Sequence, residues 1–154
     1  MPTVQDNSLI STACMEHQVL HHIKQAIRVT LDWQAPVVSM PRKLSSLQFT
    51  IKSFKRHLER VMSLEEAGGY MADVLEARPY LEERTAGLAK DHAGFRARLQ
   101  NLMPELDNIH EWDEPRFDQV CDDLRALLDD VDVHDAREIE LLQEAILCDN
   151  GGEG

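Results

Sequence analysis

Residues 131–142, VDVHDAREIELL, carry a histidine and a glutamate one helical turn apart, His134 and Glu138. Both fall on the 3–4 spacing that joins Val131 to Leu141. Side chains three and four apart share one helix face, so an imidazole and a carboxylate stand where an apolar stripe should continue. Three other stripes are interrupted in the same way. His17 lies between Ala13 and Leu20, Glu65 follows Leu58 and Val61, and His92 lies between Leu88 and Phe95. Burying an isolated carboxylate is unfavourable by several kcal/mol, so five such groups on core faces call for a common partner. Imidazole nitrogens and carboxylate oxygens are the donors that iron, manganese and zinc take. His17, Glu65, His92, His134 and Glu138 are therefore a candidate metal-ligand set.

Each of these residues has an ordinary explanation when taken alone. A single stripe histidine is commonly a hydrogen-bonded core residue. Glu65 precedes Gly68 and Gly69 and could lie beyond the last core layer, and Glu138 could pair with Arg137 or Lys90. The ordinary explanations would all have to hold at once and at similar depth. The remaining histidines are weaker candidates: His21 and His22 sit beside the first stripe, and His110 falls in a loop. His57, at the edge of the second stripe, is first a surface residue or a support behind a ligand and only in reserve a ligand itself, and Glu66, a spare acid just off the stripe, could likewise support or replace a ligand. The Asp-rich run DQVCDDLRALLDDVDVHD reads as a solvated helix face. It lacks the loop spacing of a calcium site.

Four long periodic segments must position these residues. The first stripe is Ile10, Ala13, His17, Leu20, Ile27 and Leu31, with Lys24 interrupting it; the second runs from Leu44 through Ile51, Phe54 and Leu58 to Glu65. The third runs from Leu81 through Thr85, Leu88, His92 and Phe95 to Leu102, and the fourth from Phe117 through Leu124, Leu127 and Val131 to Ala145. Pro- or Gly-bearing passages separate them: DWQAPVVSMPR (32–42), EEAGGYMADVLEARPY (65–80), with room for a short helical turn, and MPELDNIHEWDEP (103–115). Asp113 and Pro115 form a helix start, and CDNGGEG is a glycine stop leading into a flexible tail at 149–154. This pattern predicts an all-α, up-down-up-down four-helix bundle over residues 1–148.

Composition agrees with a single soluble domain of 154 residues, 43% hydrophobic and 29% charged, without the β-branched alternation of strands. A net charge of −12 argues against nucleic acid and anionic membranes as partners. No apolar run reaches the length of a membrane span, and MPTVQDNSLIS has neither the basic start nor the apolar core of a secretory leader. Cys14, Cys121 and Cys148 are odd in number, widely spaced and free of a CxxC pair, which suits reduced thiols in the cytoplasm.

The motifs MEHQVL (15–20), LEEAGGYM (64–71), LAKDHAGF (88–95) and HDAREIELLQEAILCDNGG (134–152) resemble, in order, those of the hemerythrin-like family, also called the HHE cation-binding domain. The resemblance implies a non-haem di-iron centre inside the bundle, used for oxygen carriage or for sensing iron, oxygen, redox state or nitric oxide. It implies His17 as the ligand of the first helix, Glu65 as the bridging carboxylate of the second, His92 as the ligand of the third, and His134 with Glu138 as the pair of the fourth.

Two positions depart from the family pattern. The place four before Glu65, normally histidine, is Val61, and the place four after His92, often histidine, is Arg96. A valine cannot coordinate, and a guanidinium near a metal opposes the cation. Arg96 could instead form a buried ion pair with Glu65 or Glu138. In the family, the first two helices serve one iron and the last two the other, so His17 is left as the sole imidazole of its half. His92 and His134, with Glu65 and Glu138, still make an adequate mononuclear site. The expectation is an iron-binding sensor or carrier of a diatomic ligand with one firm site. A metal-free interaction or regulatory bundle is the alternative. An oxidase or peroxidase ranks third, because no substrate pocket or nucleophile–base pair is evident and no catalytic residue is assigned.

Overall fold

The 3–4 stripes become five α-helices and one 3-10 turn in the computed structural model of the chain. It describes the backbone of residues 4–34, 38–66, 69–110 and 113–151, and side chains within 15–145, Tyr70 excepted. The helices are α1 (Val4–Leu31), α2 (Met40–Glu66), α3 (Tyr70–Ala77), α4 (Glu82–Asn108) and α5 (Glu114–Gly151), with the 3-10 turn at Pro79–Leu81. The stripe residues Ile10 and Ala13, and Cys14 and Cys148, lie outside the described side chains. α1 packs on α2, α2 on α4 and α4 on α5, and α5 closes the ring against α1. This is the four-helix bundle that the stripes predict, with α3 as a short additional helix in the looser passage. Among the described residues no helix is long and apolar enough to cross a membrane.

The helix ends follow from local chemistry. Asp113 Oδ1 accepts the Arg116 N–H at 3.2 Å at the start of α5, supplying an acceptor to a backbone donor that has no intrahelical partner. At the C-terminus of α1, Lys43 Nζ donates to the carbonyls of Leu31 and Trp33 at 2.7 and 3.0 Å, and Arg125 Nη2 donates to that of Leu31 at 2.8 Å. These cations satisfy carbonyls at the negative end of the helix dipole. Two boundaries differ from expectation. α4 runs through Pro104 to Asn108 instead of breaking at 103–115, because Leu102, Leu106 and Ile109 bury the last turns while Pro104 faces solvent. α5 is helical to Gly151, past the expected stop at 148.

The core is in two parts. A large cluster contains Leu20, Ile27, Phe54, Leu58, Val61, Phe95, Leu99, Leu124, Leu127 and Val131. A smaller one joins Met71 and Val74 of α3 to Leu81, Leu88 and Leu141. Along α4 and α5 the boundary between them falls at His92, and at His134 with Glu138. A polar layer divides the core, and α3 covers its far side.

Candidate metal centre

The five expected side chains meet in that layer. α2 delivers Glu65 from its last turn, and Gly69 makes the tight exit possible. A Cβ on Gly69 would lie 2.1 Å from the Leu64 carbonyl oxygen and 2.7 Å from that of Glu65. α4 delivers His92 and α5 delivers His134 and Glu138; these three and Glu65 are all buried. α1 brings His17 to the edge, with 35% of its side chain exposed. Glu65 is buried within the bundle and does not lie beyond it.

The donor atoms face one another. His92 Nε2 is 2.9 Å from Glu65 Oε2 and 3.2 Å from His134 Nε2, and His134 Nε2 is 3.5 Å from Glu138 Oε2. On the other side of Glu65, His17 Nε2 is 3.3 Å from Oε1 and 3.7 Å from Glu138 Oε1. Ligands about 2.1 Å from a shared ion stand roughly 3.0–3.4 Å apart in octahedral or tetrahedral geometry. Two overlapping trios thus have cation spacing, Glu65–His92–His134 and His17–Glu65–Glu138.

Carboxylates behind the imidazoles orient them. His92 Nδ1 donates to Glu66 Oε1 at 2.7 Å, and His134 Nδ1 donates to Asp91 Oδ2 at 2.9 Å. With each Nδ1 facing a carboxylate, both Nε2 atoms point inward at each other, where a bound cation can take the place of the protons between them. Neither Glu65 oxygen receives a properly directed hydrogen bond, although both are buried. Orphaned carboxylate oxygens beside inward-facing imidazole nitrogens fit a cation. Phe95 packs edge-on against His134, ring centroids 5.4 Å apart, and shields it from water.

The electrostatics are those of a site in which protons occupy the place of a cation. Burial pushes the Glu65 carboxyl up, yet the imidazoles of His17 and His92 hold it down at about 2. Burial lowers His134, but Glu138 and Asp91 outweigh it and raise the imidazole to about 9. His92 is raised against its own burial by Glu65 and Glu66, and His17 is raised chiefly by Glu65.

One expectation changes, and the reserve residues find other partners. Arg96 makes no buried pair with Glu65 or Glu138. It lies at the surface, with Nε 2.9 Å from Glu59 Oε2 and Nη1 2.9 Å from Glu66 Oε1, because its position on α4 faces the outer side of α2. His57 donates from Nδ1 to Glu16 at 3.0 Å and Glu66 is committed to His92 and Arg96. Neither belongs to a candidate ligand group among the described residues. Asp91 was legible only as the residue before His92, a helix step that turns it towards α5. Asp135 was hidden in the acidic run, and its carboxylate forms a third group with His134 and Glu138.

A protein-family model, the hemerythrin HHE cation-binding domain, matches residues 9–146. No curated protein and no solved structure matches the chain. The match takes in α2 and α4 whole, most of α1 and α5, and every residue of the polar layer, and the chain belongs to the hemerythrin HHE cation-binding domain family.

Proposed function

We propose that this protein is a non-haem iron protein with one firm cation position, held by Glu65, His92 and His134 with Glu138 beside them, and that it senses or carries a small diatomic ligand in the cytoplasm. The observation that carries the proposal is the pair of buried imidazole Nε2 atoms 3.2 Å apart beside the orphaned oxygens of Glu65. Iron bound there supplies redox chemistry and affinity for oxygen or nitric oxide. The chain's own residues do the rest. Asp91 and Glu66 fix the imidazole tautomers. Phe95, Leu88 and Leu141 keep bulk water from the α4–α5 side, and half-exposed His17 marks the side from which a small molecule enters.

The test is anaerobic loading of the metal-free protein with Fe2+, followed by dialysis, elemental analysis and an absorption spectrum after exposure to air. The expected result is nearer one iron than two per chain, with a ligand-to-metal charge-transfer band. The Val61 and Arg96 departures favour the metal-free interaction bundle as second reading, and it takes over if the dialysed protein retains no iron.

A further inference from the structure

Arg96 lies one turn after His92 on α4, so the two side chains leave neighbouring points of one helix face. Its guanidinium grips two acids of α2 in forks. Nε and Nη2 donate to Glu59 at 2.9 and 3.0 Å, and Nη1 and Nη2 donate to Glu66 at 2.9 and 3.0 Å. Glu66 Oε1 in turn stands 2.7 Å from His92 Nδ1. The contacts thus run from a partly exposed cation, through a partly exposed acid, to an imidazole with no exposed surface. Glu66 is badly placed to keep that position alone. It is the last residue of α2, in a turn without a basic residue, where the helix dipole disfavours a carboxylate and the backbone frays. Exposed ion pairs add little to overall stability, so the consequence of this one lies in where it sets Glu66.

We propose that Arg96 is a positioning residue for the cation centre: braced against Glu59, it clamps Glu66 behind His92 and so strengthens cation binding, although its own charge opposes a cation. This deepens the proposed function and rests on it. A fork suits the task better than an ammonium would, because two parallel donors fix the plane of the carboxylate as well as its place. Arg96 touches no cation and acts only through Glu66.

The two effects of Arg96 on a cation have opposite signs. As a charge it repels, so its loss should tighten binding; as a clamp on Glu66, its loss should weaken binding. Anaerobic competition for Fe2+ between a chelator and the full chain, wild type against Arg96→Gln, reads the sign. The expected result is weakening by about tenfold, the lower end of the loss typical when support behind a metal-bound imidazole is disturbed. In the metal-free chain the His92 Nδ1–H proton resonance should be sharp in the wild type and broadened by exchange with water in Arg96→Gln, with an unchanged far-ultraviolet spectrum. In a Glu66→Gln background, Arg96→Gln should cause no further loss of affinity, because the clamp then has no carboxylate to hold. Equal or tighter binding by Arg96→Gln overturns the proposal, as does a His92 resonance that does not change or a full further loss in the double variant. All three leave the proposed function standing, since the wild type still binds. A wild type that holds no Fe2+ overturns the proposed function and this inference with it.

Discussion

At the scale of single residues, Glu65 joins the two halves of the site, since its oxygens face His92 on one side and His17 on the other. Glu65→Gln keeps the shape and removes the charge, so it should weaken cation binding by at least tenfold; competition against a chelator of known affinity measures this. The carboxylates behind the imidazoles act at one remove. Asp91→Ala leaves His134 without its Nδ1 acceptor, and loss of such a partner typically costs 10–100-fold in metal affinity. Helix content by circular dichroism should stay unchanged, because Asp91 is only partly buried. A mutant that binds metal like the wild type would show that packing against Phe95 alone orients the ring. Val61→His should add a ligand, since position 61 is buried and one turn before Glu65. After loading and dialysis its iron content should move from about one towards two per chain. Replacing Arg96 offers no such gain, because its guanidinium serves Glu59 and Glu66 outside the layer.

At the scale of elements, the site depends on where α2 ends. Gly69 closes against the carbonyls of Leu64 and Glu65 so tightly that no Cβ fits without moving backbone. Its φ is −81°, an ordinary value, so the requirement is steric and not conformational. Gly69→Ala should therefore force α2 and α3 apart and destabilise the fold by about 1–3 kcal/mol, the range of a backbone clash. Cation affinity should fall with it, since Glu65 moves. Urea denaturation with and without metal separates the two effects; wild-type stability in the Gly69→Ala variant would mean that α3 can shift freely. α4 shows the opposite case, a breaker overridden. Pro104 lacks the N–H that a helix interior uses, but Leu106, fully buried, holds the last turn in place, and Gln48 Nε2 donates to its carbonyl at 3.0 Å.

At the scale of the whole molecule, a polar layer between two apolar clusters makes stability depend on protons and cations together. Glu65, held at about 2, contributes stability that is fully present above its ordinary value of 4.5 and is lost as pH falls towards 2. His134, raised to about 9, contributes stability that is present below its ordinary value of 6.5 and is lost as pH rises through about 9. The metal-free protein should thus be most stable between about pH 4.5 and 6.5, with Tm declining on either side. A bound cation takes the place of those protons, so binding should release protons, strengthen as pH rises and remove the alkaline decline. Thermal melts from pH 4 to 10, with chelator and with metal, measure all of this. A metal-free Tm that stays flat from pH 6.5 to 9 would show that His134 is not protonated in the folded layer.

The fold class was legible in the sequence because amphipathic helices announce themselves by spacing, and the candidate ligands because His17, Glu65, His92, His134 and Glu138 break that spacing at core positions. Position along a stripe fixes which face a side chain occupies, and four stripes can close only around a shared axis. What a side chain off the stripe does depends on its neighbour helix, and one chain's periodicity carries no such information. Arg96 could have turned inward or outward; the acids of α2, Glu59 and Glu66, drew it outward. Asp91 and Asp135 looked like ordinary solvated acids until α4 met α5 and α1 met α5, which set one behind His134 and the other beneath Lys24. Pro104 marked a break in the local code, and burial of Leu106 and Ile109 cancelled it. Local spacing determined the helices and their inward faces; contact between helices decided the orientation of the imidazoles, because the acids behind them lie 26 and 43 residues away in the chain.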